Sequence, residues 1–186
     1  AVSGGVDSMA LATLLIRYGR RVIPNPQKQI TLLHLNHHWR AEESHQDEEF
    51  VKAFAQQENV KFLKFDLKPL SERVQKSSSK NRESPEEHAR RQRKEIYKKL
   101  TAKKYGYVFT AHHADDVVET LLWRFFTGAL DQKKQKQGIR WLTEEKELRP
   151  LLWVTKETLK WFLNEEGQTW REDSTNQNAP LLRAQM

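Results

Sequence analysis

The stretch that most limits how this chain can fold is Ser3-Gly4-Gly5-Val6-Asp7-Ser8, where two adjacent glycines separate a short apolar start from a long apolar-periodic run. Two consecutive residues without a Cβ let the backbone turn sharply and approach a ligand closely. Met9, Leu11, Leu14, Leu15 and Ile16 then recur at helical spacing, so the stretch reads as a strand-to-helix turn whose helix runs to about Gly19. Such a turn aims consecutive free N–H groups and the positive end of a helix dipole at one point, which makes a nest for an anion. A P-loop needs a Lys and a hydroxyl residue after its second glycine, and Val6-Asp7-Ser8 stand there instead. A dinucleotide fingerprint needs a third glycine inside the helix, and none is present. Asp7 would repel a phosphate unless a cation lay between them, which argues for Mg²⁺ beside Asp7. A tight turn capped by Ser or Asp is the plain structural alternative; the whole six-residue string at a strand–helix junction favours phosphate.

The rest of the chain repeats the strand–helix alternation. The runs ITLLHLNH (30–37), VKFLKFDL (60–67) and GYVFTAHH (106–113) are short and apolar, and each follows a stretch of helical length. Alternation of this kind predicts an α/β fold, a doubly wound parallel sheet with helices on both faces and binding groups at the carboxyl ends of its strands. Ser84-Pro85-Glu86-Glu87 reads as a helix start, with Ser as cap, Pro in the first turn and Glu three residues on, so a basic helix is expected to about Tyr105. The polar, aperiodic QKSSSKNRES before it and DQKKQKQG near residue 135 read as loops. At 186 residues the chain has room for one such domain.

Composition closes several routes. There is no cysteine, which excludes disulfides, thiolate metal sites and a thiol nucleophile within these residues and fits a reducing compartment. No run approaches the roughly 20 apolar residues that span a bilayer, so no membrane partner and a cytoplasmic location are expected. The net charge of +7 favours a polyanionic partner, although a solvated basic surface is an equal alternative. Between Lys80 and Lys104 there are ten Lys/Arg against four Asp/Glu, and Arg90 and Arg93 share a helix face.

Two constellations sit at predicted strand ends. HLNHHWR gathers His34, Asn36, His37, His38 and Arg40, but neighbouring strand residues point to opposite faces, so nucleotide or substrate contact is preferred to a metal centre. TAHHADDVVET ends a strand with His112 and His113 and opens a helix with Asp115, Asp116 and Glu119. Asp116 and Glu119 lie about one turn apart on one face, whereas Val117, Val118, Leu121, Leu122 and Phe125 are expected to form the buried side. One acidic residue is a routine complement to the helix dipole; two carboxylates facing a pocket call for a cation between them. Asp173-Ser174-Thr175-Asn176 reads as a turn or helix cap as readily as it reads as a segment with a direct catalytic role. Trp153, Trp161 and Trp170 could stack on bases, with core packing the commoner use.

The loop SGGVDS resembles the pyrophosphate-binding loop of the PP-loop ATP pyrophosphatases, which split ATP between its α and β phosphates and adenylate a substrate. With HLNHHWR, EEHARRQR, TAHHADDVVET, LRPLL and EDSTN in the same order, nearly the whole chain is similar to the catalytic domain of the tRNA(Ile)-lysidine synthase family. That resemblance implies a ligase that uses ATP, with Mg²⁺, to adenylate the wobble cytidine of tRNA(Ile). The ε-amine of free L-lysine then displaces AMP. It implies one N-terminal catalytic domain over residues 1–186, with the C-terminal tRNA-binding domains of many members absent from this chain. It also implies that Ser3, Gly4, Gly5, Val6 and Ser8 hold the polyphosphate with Asp7 near the metal. His34 and His112 then lie by the nucleotide, and Asp7, Arg93, Asp116 and Glu119 surround lysine and the reacting phosphate. Two other readings stay open: a PP-loop pyrophosphatase that adenylates a different tRNA base or small substrate, and a nucleotide- or RNA-binding module without catalysis.

Overall fold

The computed structural model describes residues 1–19, 23–37, 41–68, 84–103, 106–128 and 138–172. Helix α1 (Val6–Thr13) begins at the glycine turn and continues as a π-helical stretch, Leu14–Tyr18, so the predicted helix ends where expected. A short helix α2 (Pro26–Gln29) leads into strand β1 (Thr31–Asn36), followed by helix α3 (Ala41–Gln57) and strand β2 (Lys61–Asp66). Helix α4 (Pro85–Lys103), strand β3 (Val108–Phe109) and helix α5 (Ala114–Phe126) come next. Strand β4 (Glu147–Leu148) and helix α6 (Lys156–Glu165) complete the order.

β1 and β2 are parallel, with Thr31 opposite Lys61 and Asn36 opposite Asp66; β3 and β4 are parallel, with Val108 opposite Glu147. Residues 1 and 2 link the two pairs, since Val2 N–H donates to Leu33 O at 2.7 Å and the Ala1 nitrogen donates to Phe109 O at 2.6 Å. Across the molecule the order is therefore β2, β1, residues 1–2, β3, β4. Successive strand residues serve opposite faces. Leu32 joins Met9, Val51, Phe54, Leu159 and Leu163 beneath α1, α3 and α6, whereas Leu33 packs with Tyr97 and Val108 beneath α4. Helices on both faces of parallel strands are what the alternation predicts.

Local signals hold where the side chains that carry them are polar and adjacent. Ser84 Oγ accepts the Glu87 N–H at 3.1 Å and Glu87 Oε2 accepts the Ser84 N–H at 2.9 Å, the reciprocal box that starts α4. The expectation for α5 is corrected: it has no buried residue, and Val118, Leu121, Leu122 and Phe125 are exposed, Phe125 at 66%. Periodicity identifies the apolar side of a helix, whereas burial requires a second element against it. The described residues leave that side open. Trp153 and Trp161 are likewise on the surface, while Trp170 packs against the main core.

Leu163 is fully buried and Trp153 is 90% exposed. Leu163→Ala is expected to cost about 2–5 kcal/mol in urea denaturation. Trp153→Ala should stay within about 0.5 kcal/mol, and equal losses in the two variants would contradict this packing.

Candidate active site

The glycine turn owes its shape to Gly4 and Ser8. Gly4 has φ +102°, a region that L side chains rarely adopt, whereas a Cβ there would meet Phe50 and Val51 only at an ordinary 3.7 Å. The backbone angle, not space, demands glycine. Ser8 Oγ accepts the N–H groups of Ser3 (3.1 Å) and Gly4 (3.3 Å) and donates to Gly5 O (2.9 Å), while Gly5 N–H reaches Ser3 Oγ at 3.4 Å. Of the consecutive N–H groups expected to be free, those of Ser3, Gly4 and Gly5 are bonded to serine hydroxyls. The N–H groups of Val6, Asp7 and Ser8 come before the first intrahelical bond, Met9 N–H to Gly5 O at 3.0 Å, and head the helix. Arg171 ties the turn down from outside, its N–H donating to Gly4 O at 3.0 Å and its guanidinium reaching Asp47 and Gln46 on α3.

The turn opens into a cleft of about 940 Å³. Ser3, Asp7 and Ser8 line it from the turn, Asp116, Glu119 and Arg124 from α5, and Arg90, Arg93 and Lys94 from α4. Gly4, Gly5 and Val6 form the turn behind that lining, with Val6 buried in the core. Arg91 lies off the lining and pairs with Glu95 at 3.5 Å, so the shared face of Arg90 and Arg93 is the one that counts.

Asp7 is the most unusual group. Its Oδ1 is buried without a hydrogen-bond partner among the described residues and lies 3.6 Å from His113 Nε2. Burial raises its pKa above the usual carboxylate range; Lys156 and His113 oppose that shift and Asp116 adds to it. His113 is itself buried, with Nδ1 3.2 Å from Asp115 and Nε2 3.7 Å from Asp116.

The three acids of α5 separate by role. Asp116 Oδ2 accepts the His113 N–H at 2.9 Å and so caps its own helix while facing the cleft. Asp115 is outside the cleft lining; its Oδ2 accepts the Lys156 N–H at 2.7 Å, an N-terminal contact for α6 that draws its pKa down. Glu119 lines the cleft one turn beyond Asp116.

His34 does not line the cleft, which corrects its expected place beside a nucleotide. It is buried with Nδ1 3.0 Å from Val2 O, beneath the segment that enters the turn. His37 lines the cleft instead, and burial together with Arg93 and His34 pushes its pKa down to about 4. Asn36 is buried on Glu48 of α3 at 3.1 Å. His112 lines the cleft as expected, with its pKa lowered by burial and then by Arg149. His38, Arg40 and Asp173–Asn176 lie outside the described residues. Thr110, Glu147 and Arg149 complete the wall behind His112 and were missed as site residues; LRPLL contains Arg149, while Glu147 is one acid among several and carried no signal.

Because the native state raises the pKa of Asp7, it holds that proton better than the unfolded chain, so the carboxylate opposes folding as pH rises. Asp7→Asn is expected to raise the melting temperature of the ligand-free protein at pH 7. The gain should shrink on acidification and vanish below the ordinary aspartate value of 3.8. A lower melting temperature at pH 7 would show that Lys156 and His113 outweigh burial.

Comparison with known proteins establishes the family. A PP-loop domain family matches residues 1–186. A tRNA(Ile)-lysidine synthase of Rhodopirellula baltica is 33% identical over 200 residues, covering 97% of this chain and 48% of the relative. One from Persephonella marina is 32% identical over 186 residues, covering 98% and 38%, and one from Thermus thermophilus is 34% identical over 187 residues, covering 98% and 32%. The chain thus spans about half or less of the length of these curated relatives. Among solved structures, the U34-tRNA thiolase NcsA from Methanococcus maripaludis with its [4Fe-4S] cluster superposes with a TM-score of 0.66 at 18% identity. That match covers 92% of this chain and 57% of the other, and it bears on the fold. With a parallel α/β core, the glycine turn heading α1 and a family match over its whole length, the chain belongs to the PP-loop domain family.

Proposed function

We propose that the protein ligates L-lysine to the wobble cytidine of tRNA(Ile) at the expense of ATP, with residues 1–186 acting as the catalytic domain. The carrying observation is that one cleft presents two opposed chemistries: helix-terminal N–H groups and arginines suited to phosphates, and the carboxylates of Asp116 and Glu119 suited to an ammonium group. The curated relatives' name, tRNA(Ile)-lysidine synthase, supports that pairing.

In the first step the cytidine carbonyl oxygen attacks the α-phosphorus of ATP and diphosphate leaves. In the second the lysine ε-amine attacks the ring carbon that carries the adenylated oxygen, and AMP leaves. The turn formed by Ser3, Gly4, Gly5, Val6 and Ser8 holds the polyphosphate through the N–H groups of Val6, Asp7 and Ser8 at the head of α1, Arg93 stabilises charge on the α-phosphate or on the lysine carboxylate, and His112 contacts the nucleotide. Asp116 and Glu119 bind the ammonium, and one of them removes the proton that the amine must lose before it attacks. His34 acts from beneath, holding Val2 where the chain enters the turn.

The orphaned Oδ1 of Asp7 suits a Mg²⁺ ion. Among the described residues no group of three His, Asp or Glu could hold a metal by itself, so the ion would depend on phosphate oxygens, as Mg²⁺ commonly does. Bound there, it would neutralise charge that builds on the departing diphosphate. Sulfur transfer through a cysteine-bound cluster is disfavoured because these residues contain no cysteine. A soluble cytoplasmic setting accords with the absence, among the described residues, of any helix long and apolar enough to cross a membrane.

The test measures AMP release from ATP with tRNA(Ile), with and without lysine. Lysine-dependent release is expected. Asp116→Asn should lower lysine transfer by at least about a hundredfold while part of the ATP binding remains. Unchanged turnover in that variant would remove Asp116 from the lysine site, and release driven by another acceptor would favour a different adenylating enzyme.

A further inference from the structure

Behind His112 lies a chain of hydrogen bonds that the roles assigned above do not use. Thr110 Oγ1 donates to Glu147 Oε1 at 2.8 Å, and both residues are buried. Arg149 closes on the same carboxylate through Nε to Oε1 at 3.2 Å and a terminal nitrogen to Oε2 at 2.9 Å. The pairing of β3 with β4 fixes these neighbours, because Val108 stands opposite Glu147 and Thr110 N–H donates to Leu148 O at 2.9 Å. On its other side Thr110 Oγ1 lies 3.1 Å from His112 Nδ1.

A hydroxyl has one proton, and a carboxylate held by a guanidinium accepts but does not donate. With that proton committed to Glu147, the Thr110 oxygen can only accept from the imidazole, so Nδ1 must carry the hydrogen. The side chain of His112 is 39% exposed and lines the cleft, which leaves the far ring nitrogen, Nε2, as the one turned to a ligand. The charged groups that act on this ring are Arg149 and Glu147 of β4, Asp116 of α5 and Arg93 of α4. Burial and the two arginines favour its neutral form.

We infer that Thr110 is a positioning residue: oriented by the Glu147–Arg149 pair, its hydroxyl locks His112 in the Nδ1–H tautomer and presents Nε2 to the cleft as a hydrogen-bond acceptor. The class of ligand group it would take is a donor, such as an exocyclic amine or a ribose hydroxyl of a nucleotide, and not a phosphate oxygen. The assignment of that donor to ATP rests on the proposed function, whereas the tautomer does not.

The experiment is ¹⁵N NMR of the histidine rings in the whole chain at a pH where His112 is neutral, with His112→Gln used to assign the signal. A protonated Nδ1 and an unprotonated Nε2 are expected in the wild type. Thr110→Ser should keep that pattern, and Thr110→Val, nearly isosteric but without the hydroxyl, should give a mixture or the opposite tautomer. In the AMP-release assay Thr110→Val should lower kcat/KM for ATP about tenfold, with Thr110→Ser restoring it to within about twofold. An Nε2–H signal in the wild type, or a Thr110→Val spectrum unchanged from it, overturns the inference. The expected spectra together with no lysine-dependent turnover would overturn the proposed reaction and leave the tautomer lock standing.

Discussion

The site depends on the hydrogen bonds made by one hydroxyl. Ser8 Oγ gathers the amides of Ser3 and Gly4 and returns its own proton to Gly5 O, so the chain reverses direction within a single helical turn. An unpaired amide in a tight, half-buried turn costs about 1–3 kcal/mol, and the serines meet that cost for the turn itself. What they leave over is the set of N–H groups at the head of α1, which the helix cannot satisfy internally. Shape and binding capacity are therefore assigned to different amides of the same six residues. Asp7 then adds at that point a buried oxygen without a hydrogen-bond partner among the described residues, a feature that weakens the resting fold.

Charges of both signs line the cleft, most of each sign carried by a different helix, although α5 also supplies Arg124 and Lys94 pairs with Glu145 at 3.4 Å. Arg90, Arg93 and Lys94 come from α4, whereas Asp116 and Glu119 come from α5 and Asp7 from α1. Arg149 faces the same space but is already bonded to Glu147 through two nitrogens, which makes it a fixed part of the wall. A cleft of one sign would hold a polyanion more tightly and reject an ammonium group. The mixed arrangement is the one that the proposed function, a polyanion and an ammonium group in one cleft, calls for.

Much of this was legible in the chain because the signals were local. Gly4-Gly5 and Ser8 define a turn through backbone freedom and short polar reach, and Ser84 with Glu87 defines a helix start through contacts three residues apart. Asp116 and Glu119 follow from helical spacing alone. The misses share one cause, dependence on what lies across the fold. Periodicity could mark the apolar side of α5 but not whether anything covers Val118 or Phe125. Alternation along β1 separates His34 from His37, yet only the position of Val2 shows that His34 is the one turned to the backbone. Glu147 matters through Thr110, 37 residues away, and no spacing rule joins them.

Helix α6 and residues 166–172 influence the cleft without lining it. Asp115 meets the start of α6 at Lys156, so α5 and α6 are fastened end to end, and α6 in turn buries Leu159 and Leu163 against α1. Arg171 closes the circuit by bonding Gly4 O while its guanidinium grips α3. A disturbance at Asp115 or Arg171 thus reaches the turn through packed helices and one backbone bond rather than through contact with a ligand. Residues of this kind hold the amides of α1 and the carboxylates of α5 at a fixed separation, and that separation is what the proposed pairing of a phosphate and an ammonium group in one cleft requires.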